Sequence, residues 1–272
     1  MLTVISWNLW LAGSRVTSAR AKQLAFLRRH APDVVGLQET LGTAARELAD
    51  DLGWHHHQGD SCGIISPHPI LETYGGQPLH GIGARLRLPT GRELVVWNAH
   101  LAYEPYGPYD FHLAGMTVPQ VLAREELSGR PRQVAEILAA MRSSLDERDL
   151  PVLLTGDFNA PSHLDWPSVP WQVSLAVEQA GLRDSYRTVR RDPKNHPGHT
   201  WSPLHRWHQQ QIDVPEPQDR IDFVHYAGPL RPLTSQTAGV GTPKPFPHHE
   251  NNQWTSDHWA VLSRFAEAPL RY

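Results

Sequence analysis

Five strand-like apolar runs in this chain each meet a polar cluster at one end, and that shared pattern constrains the fold more than any other feature. Three of them close on Ile5-Ser6-Trp7-Asn8, Val35-Gly36-Leu37-Gln38-Glu39 and Val95-Val96-Trp97-Asn98-Ala99-His100. The fourth, residues 151–155, runs into Gly156-Asp157-Phe158-Asn159, and the fifth, residues 259–265, leaves Ser256-Asp257-His258-Trp259. A carboxylate or imidazole aimed into packed apolar side chains is costly unless it is paired. Five strands that each deliver such a group therefore imply one polar pocket at the lip of a sheet. Hard oxygen ligands together with two imidazoles are the equipment for metal-assisted attack on a phosphate ester.

The candidate residues span positions 8 to 258, so one site needs both ends of the chain together, and residues 1–272 are expected to form a single domain. Helices are expected over residues 17–31, with Thr17 or Ser18 as cap and Pro32 as stop, and over 43–52, ended by Gly53. A strand over 33–37 lies between them. Strands follow over 62–66, 70–74 and 83–88, and a Pro89-Thr90-Gly91-Arg92 turn joins the last of these to 93–98 as a hairpin. Helices over 132–145 and 172–180 flank the strand at 152–155, and a strand over 221–226 precedes the last one. Residues 102–120, 190–220 and 241–253 read as loops beside the motifs, where functional loops usually lie. The rhythm is that of an α/β layered protein.

Asn8, Glu39, His100, Asp157 with Asn159, Asp222 within Asp219-Arg220-Ile221-Asp222-Phe223, and Asp257-His258 occur in a fixed order. That ordered set resembles the endonuclease/exonuclease/phosphatase superfamily over nearly the whole chain, although Gly-Asp-x-Asn alone is common by chance. The resemblance implies the DNase I-like fold, a four-layer α/β sandwich of two mainly antiparallel sheets flanked by helices. It implies a metal-dependent phosphoric ester hydrolase with Mg²⁺ as cofactor and Mn²⁺ as substitute. Glu39 would be the principal metal ligand, with Asn8 and Asp257 close by. Asp157 would orient or deprotonate the attacking water, and Asn159 would hold a phosphoryl oxygen and fix Asp157. On an extended segment Asp157 and Asn159 share one face; an Asp-Asn turn capping a helix is the other reading. His258, paired with Asp222, would stabilise charge growing on phosphorus, and His100 would add a second imidazole contact. Many relatives carry an acidic residue where this chain has Trp10, which leaves fewer carboxylates for a second metal.

A net charge of −3 and three lysines (Lys22, Lys194, Lys244) give no overall basic field of the kind nucleic-acid binders use. A small phosphorylated substrate, such as a phosphorylated sugar, polyol or headgroup, is therefore favoured. A nuclease or abasic-site endonuclease is the alternative, and an inactive binding module on the same fold a further one. Tyr103, Tyr106, His112 and Trp201, with Tyr109 and Trp166, are expected at the rim as substrate contacts or as loop self-packing. The triplet His55-His56-His57 alternates faces along a strand and reads as ordinary strand or loop. The single Cys62 lies in an apolar run and reads as a buried thiol. With no apolar stretch of spanning length and no basic-then-apolar leader, a cytoplasmic location is expected unless a signal peptide has been removed.

Overall fold

A computed structural model describes residues 1–208 and 213–267. The strands are β1 (Leu2–Asn8), β2 (Val34–Gln38), β3 (His55–Gln58), β4 (Cys62–Ser66), β5 (Ile70–Gly75), β6 (Gly81–Arg87), β7 (Glu93–His100), β8 (Val152–Asp157), β9 (Arg183–Asp184), β10 (Asp222–Ala227), β11 (Leu230–Ala238) and β12 (Ala260–Glu267). The helices are α1 (Ala19–His30), α2 (Ala44–Leu52), α3 (Gly107–His112), α4 (Val118–Ser128), α5 (Arg130–Asp146), α6 (Gln172–Gln179) and α7 (Ser185–Val189). They build two six-stranded sheets, β11-β12-β1-β2-β4-β3 and β5-β6-β7-β8-β10-β9. Each sheet is antiparallel except for one central parallel pair, β1 with β2 and β7 with β8.

Period-two alternation explains the layering. Along β1, Leu2 and Val4 enter the core between the sheets with Ile64, Val96, Leu153 and Phe265. Ile5 and Trp7 face the other way, onto Leu24 and Leu27 of α1 and Leu48 of α2. On the second sheet Val95, Trp97 and Leu154 meet Val134, Ile137 and Met141 of α5 and Val173 of α6. Two mainly antiparallel sheets with helices outside are the layers the sequence leads one to expect.

Beneath the lip of the sandwich the inter-sheet core turns polar. Gln38 Nε2 donates to Asn98 Oδ1 at 2.6 Å, Asn98 Nδ2 donates to the carbonyls of Leu37 and Gly63, and Thr155 Oγ1 donates to Asn98 Oδ1 at 3.0 Å. Gly156 N donates to Ser6 Oγ at 3.0 Å. A buried hydrogen-bond network fixes relative position in a way that apolar packing does not. Here it locks β1 and β2 against β7 and β8 just below their last residues. Gly36 makes room for it, since a Cβ there would stand 2.0 Å from Thr155 Oγ1 and 2.7 Å from Asn98 Oδ1.

Several expectations need correction. Residues 102–120 are not an irregular loop: α3 and the start of α4 lie there. Both have Pro in the first turn, and Thr117 with Gln120 forms a capping box on α4. Ser18 takes a left-handed conformation and makes no side-chain cap for α1. Strand β11 was not expected; it is an edge strand with a register shift at Pro232, poor in alternating apolar residues. Cys62 is a buried free thiol, and burial raises its pKa.

Candidate active site

Both central parallel pairs end at the same edge of the sandwich. Asn8 pairs with Gln38 at the end of β1 and β2, and Glu39 follows directly. His100 pairs with Asp157, and Asp157 with Asp222, so these three form one row across β7, β8 and β10. Carboxyl ends of parallel strands are where open α/β sheets usually bind ligands. Glu39, His100, Asp157, Asn159, Asp257 and His258 all line a cavity of about 1040 Å³ at this edge.

Asp157 is the hub, 1% exposed. Its Oδ2 accepts from Asn8 Nδ2 at 2.9 Å, and its Oδ1 accepts from the backbone N–H of Asn159 at 2.9 Å. The same Oδ2 stands 3.8 Å from His100 Nε2 and 3.8 Å from His258 Nε2, too far for direct hydrogen bonds. His100 is held from behind by Ser61 Oγ, 2.6 Å from its Nδ1. His258 Nδ1 is 2.8 Å from Asp222 Oδ2, and the Ser256 hydroxyl accepts from His258 N and donates to the Asn8 carbonyl.

Electrostatics favour the protonated form of His258. Burial opposes its charge, but Asp222 and Asp157 outweigh that and hold its pKa well above the ordinary histidine value. Burial pushes Asp222 up to about 6, against the downward pull of His258. The pair is best described as one buried imidazolium–carboxylate unit, with the carboxylate setting the ring's orientation.

Glu39 sits in the left-handed region at φ 55, as does Asn159 at φ 50. Strained non-glycine residues of this kind cost about 1–3 kcal/mol each and persist where surroundings over-determine them. The surroundings of Glu39 are the turn after β1, in which Trp10, Leu11 and Ala12 are all left-handed. Leu11 N donates to Glu39 Oε2 at 2.7 Å, Ala12 N to the Glu39 carbonyl at 2.8 Å, and Asn8 Nδ2 to Oε1 at 3.1 Å. Trp10 thus contributes through its backbone turn.

Two expectations about amides change. Asn8 Oδ1 accepts from Trp10 N, so its Nδ2 faces the carboxylates and bridges Glu39 to Asp157. Asn159 leaves the extended conformation and its side-chain amide donates to the Leu101 carbonyl, so it fixes Asp157 through its backbone N–H.

The donor set fits a hard divalent cation. Asp257 is 5% exposed, and its Oδ1 has no hydrogen-bond partner among the described residues. An orphaned carboxylate oxygen is costly unless something cationic completes it. Glu39 and Asp257 supply oxygen only, which suits Mg²⁺ or Mn²⁺. Among the described residues, one ligand atom each of Asp157, Asp222 and His258 lie within 4.8 Å of one another. The Asp222–His258 contact already occupies part of that cluster.

Of the expected substrate contacts, Tyr103, Tyr106 and Trp201 line the cavity. His112 does not; its ring lies 4.9 Å from Trp166, which packs on Trp171 in a satellite core under α3 and α4. Residues that sequence reasoning missed stand behind the rim. Tyr106 donates to Asp219, while Tyr109 and the Trp201 indole donate to Glu216. Arg130, fully buried, pairs with Glu125 and donates to the carbonyls of Ala102 and Pro105, anchoring the segment after His100.

Burial pushes the Asp219 carboxyl up to about 7; the Tyr106 hydroxyl opposes that rise, and Glu216 and Asp165 add to it. The folded chain therefore holds a proton there that the unfolded chain, titrating at about 3.9, gives up, so stability falls as pH rises between those values. Asp219→Asn keeps an acceptor for Tyr106 and removes the penalty. Thermal unfolding should show the variant gaining several degrees over wild type at about pH 8 and little at about pH 4. An equal shift at both pH values would show that Asp219 is ionised throughout.

The Endonuclease/Exonuclease/phosphatase family model matches residues 5–258. The chain belongs to that family. It is accordingly a phosphoric ester hydrolase, of a class that depends on divalent metal. A Caenorhabditis elegans protein, uncharacterized protein F14F9.5, is 30% identical over 286 residues, covering 97% of this chain and 91% of the relative. The zebrafish (Danio rerio) TDP2 structure complexed with single-strand DNA product superposes with a TM-score of 0.66 at 18% identity, covering 97% of this chain and 98% of that one. The human Nocturnin catalytic domain with bound sulfate gives 0.66 at 15% identity, covering 98% and 94%. These likenesses agree with the four-layer fold. No helix among the described residues is long and apolar enough to cross a membrane.

Proposed function

We propose that this family member hydrolyses a phosphoester of a small metabolite or headgroup by in-line attack of water at the Asp157–His258–His100 centre. The observation that carries this reading is the pair of 3.8 Å gaps between one buried carboxylate oxygen and two imidazoles. Such gaps suit a water or phosphoryl oxygen between a base and a cation. Asp157 takes the proton of the attacking water as its oxygen bonds to phosphorus and the opposite P–O bond breaks. The His258 imidazolium, oriented by Asp222, stabilises charge on the equatorial oxygens, and His100 adds a second contact. Glu39 with Asp257 would hold Mg²⁺, or Mn²⁺ in its place; when bound, the ion supplies Lewis-acid stabilisation of the phosphoryl and leaving oxygens. Tyr103, Tyr106 and Trp201 form the wall against the ester's substituent.

The cavity's charge supports a small substrate over a nucleic-acid strand. Its wall carries Asp60 and Glu104, while Asp110 and Arg124 there pair with each other at 2.9 Å. That wall repels a run of phosphates, which strand binding needs to be met by basic groups. The DNA product held by the zebrafish protein nonetheless makes single-stranded DNA the second reading. A panel of p-nitrophenyl phosphomonoesters and diesters set beside a single-stranded oligonucleotide, all with Mg²⁺, separates the two. Turnover of small esters at a kcat/KM well above that for any internucleotide bond is expected; the reverse order would make the chain a nuclease.

A further inference from the structure

A second cavity of about 730 Å³ adjoins the first, and both are lined by Trp10 and Asp257. The catalytic imidazoles and Asp157 line only the first. Beyond the Trp10–Asp257 ridge the second space carries one further carboxylate, the exposed Glu250, beside basic and aromatic groups. Arg15, His205, Phe246 and His249 line the second space. His205 Nε2 stands 3.6 Å from Asp257 Oδ2 and carries the ridge across. The Phe246 ring is 56% exposed; its centroid lies 5.8 Å from that of His205 and 5.1 Å from that of His249, to which it is nearly parallel at 18°. His249 is 6% exposed, and its Nδ1 has no hydrogen-bond partner among the described residues. The Trp10 ring also lies against His249, with 5.0 Å between ring centres.

Resting on the hydrolase reading, we infer that this cavity is a subsite for a second, flat ring-bearing substituent on the same phosphorus, so that the substrate is a phosphodiester. A phosphomonoester has one carbon substituent and needs one room beside the catalytic row. Here two rooms meet at the ridge formed by the proposed metal ligand Asp257. An aromatic wall favours a planar group laid against it. The unpartnered Nδ1 of His249 calls for a polar edge on that ring, as a heteroaromatic group would present, because a buried ring nitrogen left unsatisfied is costly. Phe246 is the wall's most exposed aromatic, so its truncation leaves the core untouched.

The test is calorimetric binding to the Mg²⁺-loaded protein of diphenyl phosphate and methyl phenyl phosphate, two monoanionic diesters that differ in one ring. Wild type should bind the diphenyl ester about tenfold tighter or more, the size of effect one buried aromatic anchor carries. Phe246→Ala should reduce that preference to about twofold or less, and Phe246→Tyr should retain it. Equal affinity of wild type for the two esters, or an undiminished preference in Phe246→Ala, would overturn the subsite. Turnover of phenyl p-nitrophenyl phosphate and its methyl counterpart by the same proteins is measured in parallel. An intact ring preference in binding with no turnover of either would sink the hydrolase reading and leave the subsite standing.

Discussion

His258→Ala should lower kcat by about 10² or more, a loss of about 2.7 kcal/mol or more of transition-state stabilisation. The imidazole is 4% exposed, and Asp222 and Asp157 hold its proton, so the cation is in place before phosphorus gains charge. Asp222 contacts the ring's Nδ1 at 2.8 Å, so its expected action is through that ring. Asp222→Asn should therefore lose part of the same activity, and the double variant should be little worse than His258→Ala alone. Independent, multiplicative losses would mean that Asp222 acts elsewhere, for example in folding. Metal affinity should stay nearly unchanged in both variants, because neither side chain belongs to the Glu39–Asp257 pair.

Glu39→Ala should raise the metal concentration needed for half-maximal turnover by about 10² or more, since it deletes one of two carboxylates offered to a hard cation. The left-handed turn of Trp10, Leu11 and Ala12 and the bridge from Asn8 hold Glu39 at one orientation. Glu39→Gln keeps the shape while removing the charge, so it should share most of the metal defect with little change in thermal stability. A metal titration of turnover for the three proteins reads the effect; an unchanged midpoint in both variants would move the cation to the Asp157–Asp222–His258 cluster.

Much of this site is legible in the chain because it lies at strand ends. A run of apolar residues closing on Asn8, on Gln38-Glu39 or on His100 announces a strand and the edge where it stops, and pairing then aligns those edges. What escapes is long-range or conformational. Nothing local says that Asn98 bonds Gln38 across the sandwich, or that Gly36 is small because Thr155 approaches it from the other sheet. The backbone inversions at Glu39 and Asn159 are invisible to a period-two reading, which is why Asn159 fixes Asp157 by its N–H and not by its amide. Helix α4 was missed although its capping box, Thr117-Val118-Pro119-Gln120, is readable, because the surrounding Tyr, Pro and Gly read as loop. His112 looked like a rim residue by proximity to His100 in sequence, yet α3 turns it onto Trp166.

The most direct measurement is turnover of a p-nitrophenyl phosphodiester by the purified chain before chelation, in excess chelator, and after Mg²⁺ is restored. Hydrolysis should vanish in chelator and return with Mg²⁺ or Mn²⁺ in wild type, and His258→Ala should stay depressed by about 10² in the restored state. Full activity in excess chelator, or wild-type turnover by His258→Ala, would contradict a metal-dependent phosphoester hydrolase working through the Asp157–His258–Asp222 centre.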